Sequence, residues 1–246
     1  MRRGPAEPCR VETYPAGPNP VRQAATLCLV TDRRRLSPDA RTTRDEITAL
    51  EAALDEAVDA GVDVVQIRER DLEASDLAGL CTRIVRRTRG TPTLVVVNDR
   101  VDVALAAGAD GAHLKSDGPT AARVRAIVPP GWRLGRSIHA AADVDPSAPV
   151  DYWLFGTMYR SRSKAADAPV QSTETLAAAV RAAAPRPVWV IGGVTAANVA
   201  PCLAAGAAGV AAIGAFLDPR GGPGAVARAV AAMRAAVAAD FGKLVQ

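Results

Sequence analysis

The chain has 246 residues, 49% hydrophobic and 23% charged, which suits one large soluble domain or two small ones. A net charge of +4 fits an anionic small-molecule partner, whereas aromatics at only 4%, with no Lys/Arg run interleaved among them, argue against nucleic acid. No apolar stretch reaches membrane-spanning length, and residues 1–23 lack the hydrophobic core of a secretion signal. Cys9, Cys28, Cys81 and Cys202 have no CxxC or metal-site spacing, so a reducing cytoplasm is expected. The Pro/Gly/Arg-rich stretch 1–23 reads as a disordered leader ahead of one domain spanning 24–246, and a homo-oligomer is left open.

Strands are expected at 27–31, 62–67, 93–97, 111–114, 133–137, 152–156, 188–191 and 209–213. Helices are expected to begin near Thr43, Glu73, Val101, Pro119, Ala140, Ser172, Thr195 and Gly222. Thr43 and Glu46 have capping-box spacing, and Leu50, Leu54, Ala57 and Val58 form one core-facing stripe. The fifth helix is the weakest, because Pro146 and Pro149 leave it a turn or two. Eight β-then-α units describe a single (β/α)8 TIM barrel of the α/β class. An open doubly wound sheet is the competing reading, and it lacks a G-x-G-x-x-G turn after the first strand.

Several polar clusters end these strands. Side chains alternate along a strand, so Gln66, Arg68 and Arg70 face one way and Ile67 and Glu69 the other. Unpaired buried charge is costly, so either carboxylates neutralise these arginines or an anionic ligand does. Asn98 and Asp99 follow the third strand, where Asp99 is either a helix cap or a ligand for Mg²⁺ between protein and phosphate oxygens. Ser137 and His139 end the fifth strand. After the sixth, Ser161 and Ser163 run into Lys164, either a solvated loop or an anion grip of two hydroxyls and a point-charge ammonium. Gly192-Gly193 and Gly214 follow the last two strands, where glycines let backbone N–H groups and helix N-termini meet a phosphate. In a barrel these strand ends share one mouth.

The ordered set Leu29-Val30-Thr31-Asp32, Gln66-Ile67-Arg68-Glu69-Arg70, Asn98-Asp99-Arg100, Ala109 to Leu114, Gly135-Arg136-Ser137-Ile138-His139, Phe155-Gly156, Ser161-Arg162-Ser163-Lys164 and Ile191-Gly192-Gly193 resembles the thiamine phosphate synthase/TenI superfamily over about residues 26–218. The resemblance implies a single-domain TIM barrel acting on small phosphorylated substrates. Its synthases join hydroxymethylpyrimidine diphosphate to thiazole phosphate, releasing pyrophosphate with Mg²⁺; its TenI-type members tautomerise a thiazole carboxylate phosphate. It also implies that Gln66, Arg68, Arg70, Asn98, Ser137, Ser161, Ser163 and Lys164 hold the diphosphate, with Arg70 standing where the synthases usually have lysine. Gly193 and Gly214 would lie by the thiazole phosphate, Asp99 would ligate Mg²⁺, and His139 matches the tautomerase base. Arg68, Lys164, Ser137 and His139 are the residues expected to carry the chemistry.

One stretch departs from the synthase pattern. His113-Leu114 is followed by Lys115-Ser116-Asp117-Gly118 rather than Gly-Gln-x-Asp, so Asp117 falls one position early for the second Mg²⁺ ligand. Asp117 reaches the metal through a shifted loop, or Lys115 takes over part of the metal's role, or the chain is not a synthase. The retained diphosphate clamp puts the synthase first, with the tautomerase and a non-catalytic phosphate-binding barrel as alternatives.

Overall fold

The computed structural model describes residues 25–160 and 169–244; the expected leader 1–23 lies outside them. Eight parallel strands close in sequence order: β1 (Thr26–Val30), β2 (Val64–Ile67), β3 (Leu94–Asn98), β4 (Gly111–Leu114), β5 (Arg133–Ile138), β6 (Tyr152–Gly156), β7 (Val188–Ile191) and β8 (Gly209–Ala212). Helices α1 (Arg33–Leu36), α2 (Thr43–Asp59), α3 (Ala74–Thr88), α4 (Val101–Ala107), α5 (Ala121–Arg125), α6 (Thr173–Ala183), α7 (Ala200–Ala204) and α8 (Ala225–Leu244) lie between or after the strands. The (β/α)8 barrel is therefore the fold, and the open sheet is excluded by the pairing of β1 with β8.

Alternation along the strands separates two cores. Leu27, Leu29, Val65, Ile67, Val95 and Val97 face outward against the helices, joined by the α2 stripe Leu50, Leu54, Ala57 and Val58. Cys28, Val30, Val64, Val96, Tyr152, Leu154, Trp189 and Ala211 fill the barrel interior. Tyr152 stacks on Trp189 with ring centroids 3.8 Å apart and 15° between planes. That stack needs glycine on the neighbouring strands. A Cβ at Gly135 would sit 2.1 Å from the Tyr152 ring, and one at Gly209 would sit 2.5 Å from the Trp189 indole. Below this layer a carboxylate pins each of three strand pairs. Asp63, Asp110 and Asp151, just ahead of β2, β4 and β6, accept from the N–H groups of Leu27 (2.8 Å), Val95 (2.7 Å) and Leu134 (2.7 Å). Cys28, Cys81 and Cys202 are buried free thiols, and burial pushes the Cys81 thiol up to about 12, so structural packing is the role their surroundings support.

The helices depart from expectation where local capping decides. No capping box forms at α2, and its N-cap falls one residue early: Thr42 accepts from the Asp45 N–H at 3.2 Å, while Glu46 is drawn into an ion pair with Arg33. The fifth helix shrinks to one 3-10 turn, Ala141–Asp143, as Pro146 and Pro149 dictate. α1 was not expected. Its single turn is nucleated by Asp32, whose carboxylate accepts from the Arg35 N–H at 3.1 Å. The seventh helix starts at Ala200 rather than near Thr195, because Asn198 bridges the loop, accepting from the Thr195 N–H (2.7 Å) and donating to the Gly193 carbonyl (3.0 Å).

Candidate active site

Gln66, Arg68, Arg70, Asn98, Ser137, His139, Gly193 and Gly214 line one cavity of about 710 Å³ at the C-terminal mouth of the barrel. Ser161, Ser163 and Lys164 lie outside the described residues; Tyr159 and Arg160 lead up to them, and Arg160 lines the cavity. Residues expected from distant parts of the sequence thus share one site, as the barrel topology requires.

The arginines after β2 answer the question that the sequence left open. Glu69 turns away from the cavity and is buried, accepting from the Arg33 N–H at 3.2 Å and from Arg33 Nη1 at 3.0 Å. Arg33, itself only 2% exposed, also grips Asp71 through both Nη atoms at 2.6 and 2.8 Å. The carboxylates of this loop are therefore spent on Arg33. No described carboxylate lies within ion-pair distance of Arg68 or Arg70. Burial pulls the Arg68 guanidinium below its ordinary value and the neighbouring Arg70 adds to the pull, while Asp32 and Glu69 oppose it only at a distance. Arg68, partly desolvated, and the exposed Arg70 beside it thus present two guanidiniums to the cavity with no described carboxylate partner.

His113 stands behind Ser137. It is 1% exposed, its Nε2 lies 2.8 Å from Ser137 Oγ, and its Nδ1 lies 3.3 Å from the Tyr152 hydroxyl. Burial, with Arg68 adding to it, holds this imidazole down to about 3, so at neutral pH it orients Ser137 without adding charge. The folded state thus refuses a proton that the unfolded chain accepts near the ordinary value of 6.5. Stability should fall as pH drops through that value, by up to about 1.4 kcal/mol per pH unit, down to about pH 3. Between pH 6.5 and about 5, where carboxylates contribute little, urea unfolding of His113→Gln should have a flatter slope than the parent; equal slopes would contradict the assignment. His139 differs. Its Nδ1 lies 2.7 Å from the Gly156 carbonyl, which can only accept, so Nδ1 carries the proton and Nε2 keeps its lone pair.

Across the cavity, Gly192 (φ 102°) and Gly193 (φ 63°) take left-handed conformations, and a Cβ on Gly193 would lie 2.6 Å from the Arg160 carbonyl. Helix N-termini do not serve this end as expected. The start of α8 is taken by the Glu56 carboxylate, which accepts from the N–H groups of Gly224 (2.9 Å) and Val226 (3.2 Å), and α7 begins well past the glycines. A side chain absent from the expected set lies there instead. The Arg35 guanidinium covers Gly214, so that a Cβ on that glycine would meet Nη2 at 2.4 Å, and Arg35 Nε donates to the Leu217 carbonyl at 3.2 Å. The run Asp32-Arg33-Arg34-Arg35 was the available signal.

Asp99 lines a smaller adjoining cavity of about 280 Å³ rather than the main one. Its carboxylate does not cap α4, since Arg100 holds the N-cap position. Oδ1 accepts from the Lys115 N–H at 3.0 Å, while Oδ2 meets Lys115 Nζ at 2.9 Å and Asn98 Nδ2 at 3.0 Å. Asp117 is exposed. Among the described residues no cluster of three or more His, Cys, Asp or Glu is placed to hold a metal ion, and no helix is long and apolar enough to cross a membrane.

Fold and site together define a (β/α)8 barrel with one polar, arginine-lined mouth at the C-terminal strand ends. Residues 27–216 match the family model described as thiamine monophosphate synthase, and the chain belongs to that family. A Geobacter sulfurreducens protein provisionally named thiamine-phosphate synthase is 41% identical over 79% of this chain and 89% of that one. The thiamine-phosphate synthase of Methanoculleus marisnigri is 39% identical over 73% of this chain and 83% of its own length. Among solved structures, the thiamine phosphate pyrophosphorylase of Pyrococcus furiosus superposes with a TM-score of 0.71 at 26% identity, covering 87% of this chain and 95% of that one.

Proposed function

We propose that the chain is a thiamine phosphate synthase-type transferase that joins hydroxymethylpyrimidine diphosphate to thiazole phosphate. The observation that carries the reading is the pair Arg68 and Arg70 on the cavity wall, Arg68 partly desolvated and neither with a described carboxylate partner. The bond from the pyrimidine methylene to the diphosphate oxygen breaks, its electron pair leaving with pyrophosphate, and the thiazole nitrogen forms the new C–N bond. Charge therefore accumulates on the leaving group. Arg68, Arg70 and the carried-over Ser161, Ser163 and Lys164 would stabilise it electrostatically, with Gln66, Asn98 and Ser137 donating hydrogen bonds. No covalent nucleophile is required. The expected Mg²⁺ would supply further charge neutralisation, but the donor set does not fit it: both Asp99 oxygens are engaged, one by an ammonium, and Asp117 is exposed.

The tautomerase alternative rests on the free Nε2 of His139, a competent base. Its substrate carries one phosphate and one carboxylate but no diphosphate, so it would need only one phosphate position. The two readings separate by co-binding. Inorganic pyrophosphate and thiazole phosphate should saturate the protein together, one of each per chain, in calorimetric titrations. Mutual displacement would mean one anion position and would overturn the synthase reading.

Arg35 would contact the thiazole phosphate beside Gly193 and Gly214. Arg35→Ala should weaken thiazole phosphate binding about tenfold, the worth of one charge-assisted hydrogen bond, and leave pyrophosphate affinity unchanged. Equal losses for both ligands would contradict this division of the mouth. The reading keeps the expected cytoplasmic location.

A further inference from the structure

We infer that Lys115 is a built-in cation at the diphosphate end of the site, so that this chain grips a diphosphate without a divalent metal; the inference rests on the synthase reading. Asp99 is the one described non-glycine residue in the left-handed region (φ 59°), a conformation that surrounding contacts must hold. One of those contacts is an acceptor and three are donors. The Asp99 N–H bonds the His113 carbonyl at 2.9 Å, and its carboxylate receives the Lys115 N–H (3.0 Å), Asn98 Nδ2 (3.0 Å) and Lys115 Nζ (2.9 Å). A divalent ion at this carboxylate would have to displace the ammonium, because two cations on one oxygen repel strongly. The ammonium is half-exposed, with 49% of the side chain accessible against 21% for Asp99, and one of its three protons is directed to Asp99. Two remain for phosphate oxygens. The small cavity that Lys115 lines also contains Arg70 and Asn98, and both of these line the main cavity too. A diphosphate held at Gln66 and Arg68 can therefore continue past Asn98 to Lys115. One ammonium carries half the charge of Mg²⁺, and Arg70 at the same wall supplies the rest.

The competing account is an ordinary half-exposed ion pair worth little to either ligand or fold. Titrating the full chain with inorganic pyrophosphate, in EDTA and in Mg²⁺, separates the two. The parent should bind in EDTA, with affinity changing less than about threefold when Mg²⁺ replaces it. Lys115→Gln, which frees the Asp99 carboxylate, should bind about 10- to 100-fold more weakly in EDTA and regain affinity with Mg²⁺. A parent that binds at least tenfold tighter with Mg²⁺ overturns the inference and leaves the synthase reading standing. So does a Lys115→Gln variant that matches the parent in EDTA. A parent that binds pyrophosphate under neither condition overturns both.

Discussion

Arg68→Ala is expected to weaken pyrophosphate binding about 10- to 100-fold while leaving the melting temperature unchanged or raised. Hydrogen bonds to charged groups contribute about 1.5–3 kcal/mol, and each 1.4 kcal/mol is tenfold in affinity. The absence of a stability loss follows from the surroundings. Arg68 is partly desolvated and repelled by Arg70, without a described carboxylate at ion-pair distance, so its charge adds little to the fold. Removing such a charge relieves the fold and harms the ligand. Calorimetry with pyrophosphate and a thermal melt on the same sample check both halves. A variant that melts lower but binds as before would make Arg68 a structural residue. Lys164→Ala supplies the complementary arm: coupling with Arg68→Ala in a double-mutant cycle would mean that one ligand spans both residues.

The opposite pattern is expected at the buried Arg33, which pairs with Glu69 next to Arg68. Arg33→Met should destabilise the protein by about 3–5 kcal/mol, because it strips the partner from a buried carboxylate. In a chain of this size that lowers the melting temperature by roughly 6–20 °C. Glu69, 5% exposed, would keep its desolvation cost and lose its guanidinium. Burial already pushes the Glu69 carboxyl upward, opposed by Thr31 and Arg33, so the variant raises it further. The sign is then fixed. A carboxyl raised in the folded state favours folding where it is protonated, so the variant's deficit should shrink as pH falls and widen as pH rises. Arg33→Met/Glu69→Gln should recover part of the loss, since the most buried carboxylate is then neutral and Asp71 keeps Arg34, while Glu46 still loses its partner. Pyrophosphate affinity should fall in the single variant too, because the Arg33 cluster fixes the loop that carries Arg68 and Arg70. A loss below about 1 kcal/mol would mean that water reaches Glu69 and that the cluster is not a support.

The barrel was legible because eight short, mostly apolar runs, β-branched above all in β2, β3 and β7, alternate with helical stretches. What escaped was set by single side chains acting across loops. Asp32 nucleates α1, Thr42 displaces the expected cap of α2, and Asn198 delays α7; none of these changes a hydrophobic pattern. The site divides in the same way. Alternation at Gln66, Arg68 and Arg70 announced three side chains facing one way, and the cavity contains them with Asn98, Ser137 and His139. Arg33, Arg34 and Arg35 look alike in sequence and have three fates. Arg33 has 3% of its side chain accessible, Arg34 has 68%, and Arg35 lies over Gly214. Only packing separates them. Lys115 stood out as a departure from the synthase pattern, but its pairing with Asp99 depends on β3 and β4 lying side by side.

The most direct test is to incubate the purified chain with hydroxymethylpyrimidine diphosphate and thiazole phosphate and identify the products by mass spectrometry. The expected result is thiamine phosphate and pyrophosphate in equal amounts, both lost or greatly reduced in Arg68→Ala. Neither thiamine phosphate nor pyrophosphate from these substrates, with His139-dependent tautomerisation when thiazole carboxylate phosphate is supplied instead, would contradict it.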